Sequence, residues 1–316
     1  MESRPDLSIV VVSFQVRELL ERCLASLQPI GRPRLELWVV DNASTDGSAE
    51  MVASRFPGVR LIANADNRGF AAANNEALCR AEGRYVMLLN PDTEIPSESP
   101  NSLERLVDFM DSHPHAGACG PQLSYGDGSF QHSAFGFPSL AQIYFDLFPT
   151  NWRLAESRLN GRYSRSAYQA GRPFKVDHPL GAAFLARRET AEQVGWLDEE
   201  YFIYAEEVDW ARRIRKAGWD IWCIPSARII HYEARSTVQF RDRMLVELWR
   251  ARFRFFRKHY SPAFVVAAGL LVTAGMSRAS TAARRAQARG KMNSEELERR
   301  LRAYRQVVQI AKNGPG

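Results

Sequence analysis

The sequence predicts an α/β protein, a mixed and mainly parallel sheet flanked by helices, with a helical extension at its C-terminus. Three observations carry this expectation. Apolar runs of strand length alternate with helically periodic segments, which is the pattern of parallel strands joined by crossover helices. Polar motifs recur immediately after those runs, where ligands bind in such sheets. The positive charge, finally, is confined to the end of the chain, which marks that end as different in kind.

The elements follow in order. Leu7–Phe14, Leu35–Val40, Val59–Ala63 and Tyr85–Leu89 read as strands, with helical periodicity between them at Glu18–Leu27 and Phe70–Ala81. Ser13 ends the first run, Asp41-Asn42 follows the second and Asn90-Pro91-Asp92 the fourth, so a site is expected along one edge of the sheet. From Tyr125 to Lys175 the pattern dissolves into Gly, Ser, Pro and aromatic residues. Asp127-Gly128 there suits a hairpin turn, followed by a long loop region fit to shape an acceptor cleft. Regularity returns with a strand at Gly181–Arg188, a helix at Glu200–Lys216 ending at Gly218, and a short strand at Ile221–Pro225.

A chain of 316 residues, 45% hydrophobic, holds one large core and an appendage. The expected division is a catalytic domain over 1–240 and an extension over 241–316. Cys23, Cys79, Cys119 and Cys223 are widely spaced with no CxxC pair, which argues against a zinc site and a dense disulfide framework and fits a reducing cytoplasm. No basic segment with a small-residue cleavage site precedes Leu7, so a secretory signal is not expected. The net charge of +6 divides unevenly. After residue 240 there are 17 Lys+Arg against 5 Asp+Glu, and before it 25 against 31. The basic surplus therefore belongs to an appendage on an acidic domain, and no nucleic-acid partner is expected. No sequence signal bears on oligomerisation.

In that appendage Met244, Leu245, Leu248, Trp249, Phe255 and Phe256 fall on one helical face, with Arg243, Arg250, Arg254 and Arg257 on the other. The apolar run Ala263–Met276 follows, shorter than the roughly 20 residues a bilayer span needs. The expectation is a basic amphipathic helix lying in the membrane interface, or a re-entrant insertion, on the inner face of the cytoplasmic membrane, the alternative being a helix packed on the protein with a solvated basic face. Asn293 opens a capped helix whose Leu297, Leu301, Tyr304 and Val308 form a docking face.

Several short motifs carry chemistry only in combination. Asn90-Pro91-Asp92 offers hard oxygen ligands for Mg²⁺ or Mn²⁺, or is an ordinary turn. Asp41 through Gly47 is a capped helix start, or a loop in which Asp41 accepts from a pyrimidine ring N–H. Glu206, Glu207 and Asp209 start a helix beside Tyr201, Phe202 and Tyr204, an aromatic setting suited to burying a carboxylate and tuning it as a general base. His231 after Ile229-Ile230 is by itself more often structural than a ligand.

Together, in order and spacing, these motifs resemble the family 2 glycosyltransferases of the GT-A fold and, within them, the bacterial rhamnosyltransferase-like branch. The resemblance spans about residues 6–240. It rests on Val11-Val12-Ser13-Phe14, Val40 through Gly47, Asn67-Arg68-Gly69-Phe70-Ala71 to Asn74-Asn75, and Leu88 through Asp92. Gly181-Ala182-Ala183, Val194 through Glu199, Tyr204 through Trp210 and His231 complete it. The resemblance implies a nucleotide-diphosphate-sugar donor, with Ser13 and Asp41 against the base, and Arg68 and Asn74 near ribose and diphosphate. It implies Asp92 and His231 as ligands of a divalent metal, Mg²⁺ or Mn²⁺, and Glu207 as the base beside Glu206.

Three positions depart from the family pattern. Asn90 takes the first place of the usual Asp-x-Asp, where it would orient ribose or metal-bound water. Glu207 is one methylene longer than the usual Asp, so either member of the pair could face the acceptor. Ala234 replaces a glycine after the histidine.

The implied reaction is a single displacement with inversion, the donor dTDP-L-rhamnose and the acceptor a glycan or lipid-linked glycan of the cell surface. A sugar-phosphate nucleotidyltransferase is disfavoured, because Ser13-Phe14-Gln15-Val16 is not a Gly-rich basic loop. The remaining alternative is a nucleotide-sugar or polyanion binding protein without transferase activity.

Overall fold

The computed structural model describes residues 4–233 and 241–313. Ala234 therefore lies outside the described residues. The chain forms two compact units, one drawn from 4–137, 162–202 and 206–233, the other from 138–161, 203–205 and 241–313.

The first unit holds β1 (Leu7–Ser13), α1 (Arg17–Leu27), β2 (Leu35–Asp41), α2 (Ser48–Arg55), β3 (Arg60–Ala63), α3 (Phe70–Leu78), β4 (Tyr85–Leu89), β5 (Thr93–Glu94), α4 (Ser102–Ser112), β6 (Ala116–Ser124), β7 (Phe130–Gln131) and β8 (Ala134–Phe135). In the second unit come α5 (Leu140–Leu147), α6 (Trp152–Ala155) and a 3-10 turn at Arg158–Asn160. Back in the first lie α7 (Arg165–Gln169), β9 (Phe174–Lys175), β10 (His178–Pro179), β11 (Ala183–Arg187), α8 (Arg188–Val194), α9 (Glu206–Lys216) and β12 (Asp220–His231). The second ends with α10 (Arg241–His259), α11 (Pro262–Ala288) and α12 (Ser294–Asn313).

The main sheet runs β3-β2-β1-β4-β11-β6-β12-β5. β1 is parallel to β2 and β4, β2 to β3, and β6 to β12, while β11 lies antiparallel between β4 and β6. The carboxyl ends of β1, β2, β4 and β12 and the start of β11 thus share one edge. β1 is central and buried on both faces, which explains its unbroken apolar run. Leu7, Ile9 and Val11 enter one layer with Leu20, Leu24 and Met51, and Val10 and Val12 enter the other with Ala73, Leu78 and Trp210. α1, α2 and α4 therefore cover one face, and α3, α8 and α9 the other.

Several boundaries differ from the sequence expectation. The helix expected from Glu200 begins at Glu206, because Tyr204 and Ala205 have φ of 72° and 64°, left-handed values no helix contains. The strand expected to end at Pro225 continues to His231 through a register shift between Ile224 and Arg228, a bulge that accommodates the proline. The hairpin turn at Asp127-Gly128 is present, with Gly128 N–H donating to Tyr125 O at 2.9 Å. The region after it up to Lys175, expected as a long loop, instead holds α5, α6, α7 and the three two-residue strands β7, β8 and β9.

The tail differs more. Trp249, Phe253, Phe255 and Phe256 are at most 2% exposed, so the aromatic face of α10 is buried in the protein rather than offered to a membrane. Arg257, placed by periodicity on a solvated face, donates to Ile310 O of α12 at 2.8 Å. The helix that carries the apolar run does not stop at Met276 but continues to Ala288. Ser261 caps it and Pro262 opens a helix of 27 residues, long and apolar enough by length and composition to cross a membrane. Asn293 does cap α12, accepting from Glu296 N–H at 2.8 Å.

Candidate active site

Ser13 and Asp41 are register partners at the ends of β1 and β2, and both are buried. Asp41 accepts from Ser44 N–H at 2.9 Å through one oxygen. Its other oxygen and Ser13 Oγ have no partner, a cost of about 1–3 kcal/mol for each such buried group unless a ligand supplies one. An adjacent carboxylate acceptor and hydroxyl donor match the N–H and carbonyl of a pyrimidine imide edge.

Next to them Asn42 acts as a clamp that periodicity could not show. Its Nδ2 donates to Asn67 Oδ1 and Gly69 O, each at 3.1 Å, and its Oδ1 accepts from Asn64 and from Arg68 N–H. The loop is held further by Phe70 N–H, which donates to Phe202 O at 2.6 Å. Gly69, at φ 83°, is required there, because a Cβ would lie 2.5 Å from that same oxygen. Arg68 is about half exposed and paired with Glu76. Asn74 is buried on α3, donating to Phe70 O at 2.8 Å, with its Oδ1 unpartnered.

At the end of β4, Asn90 is engaged through its backbone. Its N–H donates to Ala182 O at 2.9 Å, and its carbonyl accepts from Thr93 Oγ1 at 2.7 Å. That turn delivers Asp92, 3% exposed, to His231 at the end of β12, with Oδ1 3.4 Å from Nε2. His231 Nδ1 lies 3.2 Å from Gln131 Oε1. With Nδ1–H donated to Gln131, the Nε2 lone pair and the carboxylate converge, an arrangement a divalent cation satisfies. One carboxylate oxygen and one imidazole suit Mn²⁺ or Mg²⁺, and among the described residues no group of three potential ligands forms, which leaves positions for diphosphate oxygens and water. Immediately beyond, Tyr232 Oη donates to Glu94 at 2.7 Å and accepts from Arg22 at 2.7 Å, tying α1, β5 and the end of β12 together.

Glu206 and Glu207 open α9. Burial pushes both carboxyls above the usual range, and Glu206 is raised further because the charge of Glu207 adds to its desolvation. The backbone N–H groups of Glu207, Val208 and Gly181 oppose the shift at Glu207. Gly181 is packed so closely that a Cβ there would lie 3.1 Å from Glu207 Cγ. Since Ala182 bonds Asn90, the Asp92 turn and the Glu207 carboxyl are linked through two adjacent residues. Asp209 is different. It is fully buried and bonds Arg213 at 2.8 Å, which in turn donates to the carbonyls of Val194, Gly195 and Trp196. Asp209 thus anchors the arginine that holds the Val194–Trp196 turn to α9.

The expected residues thus form three groups along one edge: Ser13–Asp41 with the Asn42 clamp and Arg68, Asp92–His231, and Glu206–Glu207. Sequence reasoning missed Asn42 as a clamp, Gln131, Glu76 and the close packing at Gly181. Only Asn42 and Gly181 carried a signal, their place inside the motifs.

Comparison with known proteins agrees with this architecture. The family model described as "Glycosyl transferase family 2" matches residues 8–195. The N-acetylglucosaminyl-diphospho-decaprenol L-rhamnosyltransferase of Mycobacterium tuberculosis is 32% identical over 252 residues, 73% of this chain and 77% of the relative. The O-antigen biosynthesis protein RfbC of Myxococcus xanthus is 27% identical over 237 residues, 73% of this chain but 18% of RfbC. Among solved structures, the mannosyltransferase PcManGT from Pyrobaculum calidifontis, in complex with GDP-Man and Mn²⁺, superposes with a TM-score of 0.60 at 18% identity, covering 99% of this chain and 88% of that one. The chain belongs to glycosyl transferase family 2, has its GT-A fold, and within the family resembles the rhamnosyltransferases.

Proposed function

We propose that this glycosyltransferase of cell-surface glycan synthesis transfers L-rhamnose from dTDP-rhamnose, with inversion and with a divalent metal, to a lipid-linked glycan at the cytoplasmic membrane face. The observation that supports the mechanism best is the Glu206–Glu207 pair, Glu206 buried and Glu207 partly so, joined to the Asp92 turn through Gly181-Ala182. The donor is suggested by the mycobacterial relative, and the imide-edge match at Ser13 and Asp41 is consistent with a thymine base. We take 1–240 as the catalytic domain and 241–316 as its extension.

In this reading Asp41 and Ser13 hold the base, Asn74 and Asn90 lie toward ribose, and Arg68 exchanges Glu76 for diphosphate oxygens. Asp92 and His231 would hold Mg²⁺ or Mn²⁺, which supplies Lewis-acid neutralisation of the departing diphosphate. Glu207 takes the proton of the acceptor hydroxyl as that oxygen attacks the anomeric carbon and the bond to the diphosphate oxygen breaks. Glu206, still protonated, keeps a second charge out of the pair.

The test is nucleotide diphosphate release by purified protein over a panel of nucleotide sugars, with and without Mn²⁺ or Mg²⁺. Turnover highest with dTDP-rhamnose and lost on chelation is expected. Preference for another nucleotide sugar overturns the donor, and undiminished turnover under chelation overturns the metal.

A further inference from the structure

Most of the large apolar side chains left exposed belong to the second unit: Tyr144, Trp152, Leu154, Leu159, Val266 and Leu270, against Phe14 and Phe202 in the first. Trp152 is 70% exposed. It opens α6, whose cap is Asn151 accepting from Arg153 N–H at 2.9 Å, and the Arg153 guanidinium lies over its ring. Leu154 and Leu159 follow, with Arg158 between them.

α11 is two-sided. Ala268, Val272, Gly275 and Met276 are buried. That inner face is held close by glycines: a Cβ at Gly275 would lie 2.8 Å from Leu147 of α5, and one at Gly269 3.1 Å from Ala311 O of α12. Ala263, Val266, Leu270 and Ala274 form an exposed apolar stripe on the opposite side. Beyond Ala274 the exposed positions turn basic, with Arg278, Arg284 and Arg285.

We propose that the Trp152–Leu159 segment and the outer stripe of α11 are the surface by which this unit lies on an anionic lipid layer, α11 resting in the interface rather than crossing it. A tryptophan with an arginine over its ring suits the boundary between acyl chains and headgroups. The 17 basic against 5 acidic residues after position 240 complement anionic headgroups. Crossing the bilayer would pull Gly275 from Leu147 and Gly269 from Ala311, and would carry the arginines of the same helix toward the hydrocarbon. The aromatic face of α10, being buried, takes no part. The proposal rests on the reading of a lipid-linked acceptor, and its test measures binding apart from turnover.

The test is co-sedimentation of the full chain with phosphatidylcholine vesicles, with and without phosphatidylglycerol, at low and high salt. Wild type is expected to pellet with anionic vesicles at low salt, and to be released by salt and by alkaline carbonate. Trp152→Glu with Leu159→Glu, or Val266→Glu with Leu270→Glu, lowers the partition coefficient by roughly 10-fold or more, leaving circular dichroism and metal-dependent donor hydrolysis unchanged. The surface is overturned if wild type stays in the supernatant with anionic vesicles, if both double variants pellet like wild type, or if carbonate fails to release it. It is also overturned if light scattering shows that the variants convert a dimer to a monomer, since a second copy would then cover the stripe. Vesicle binding without donor turnover would count against the proposed transferase reaction and leave the surface standing.

Discussion

At the scale of single residues the site is a set of oxygen and nitrogen atoms whose positions are set by partners distant in sequence. Gln131 is the clearest case, since its Oε1 fixes which nitrogen His231 presents to Asp92. Gln131→Leu should weaken Mn²⁺ binding by roughly 10–100-fold without unfolding the protein. Titration of the ion by electron paramagnetic resonance, with a nucleoside diphosphate present, measures this, and unchanged affinity would detach Gln131 from the metal. The carboxyl pair makes a prediction of opposite sign to an ordinary surface acid. Because burial raises both groups, the base is active only once the pair has lost a proton, so kcat should rise with pH along an acid limb. The same shift lowers stability as pH rises: its contribution is full below the unfolded carboxylate value and is lost as pH climbs through the raised folded one. Thermal melts across that range should show Glu206→Gln gaining on wild type as pH increases.

At the scale of elements, glycines decide how closely the loops approach the site. Gly181→Ala places a methyl against Glu207 and should lower kcat by about 10-fold or more with little change in Tm, whereas Gly69→Ala meets backbone and should destabilise by about 2 kcal/mol or more. Kinetics and thermal melting of the two variants separate these effects. Elements were legible in the sequence where one physical cause dominates. β1, β2 and β4 are buried on both faces or nearly so, and their apolar runs stood out. The start of α9 did not, because left-handed φ at a tyrosine and an alanine leaves no compositional trace. β12 was cut short because a proline ordinarily ends a strand, and only the bulge opposite β6 carries it through. The two-residue strands β7 to β10 are too short for any period to register. The site motifs were visible because they sit at strand ends, while their partners Gln131 and Glu76 are fixed by contacts that a linear pattern does not encode.

Across the whole molecule, the acidic and basic parts of the chain are separate in sequence, and the proposed reading gives them separate tasks. The sheet edge gathers the Ser13–Asp41 pair, the Asp92–His231 pair and the Glu206–Glu207 carboxyls, which the proposed reaction uses to hold a nucleotide sugar and deprotonate an acceptor. The helical unit carries the positive charge and the exposed apolar surface. Periodicity found the two faces of α10 but left open what covers the aromatic one; it packs inside the protein while Arg243 and Arg250 stay exposed, which is the packed-helix alternative. In the proposed reaction Glu207 removes the acceptor proton, and the decisive measurement compares Glu207→Gln with Glu206→Gln under saturating donor and metal. Glu207→Gln is expected to lower kcat by roughly 10² or more with donor affinity nearly kept and the acid limb of the pH profile gone, while Glu206→Gln retains that limb. The reverse pattern, with the limb lost in Glu206→Gln and kept in Glu207→Gln, would make Glu206 the base and not Glu207.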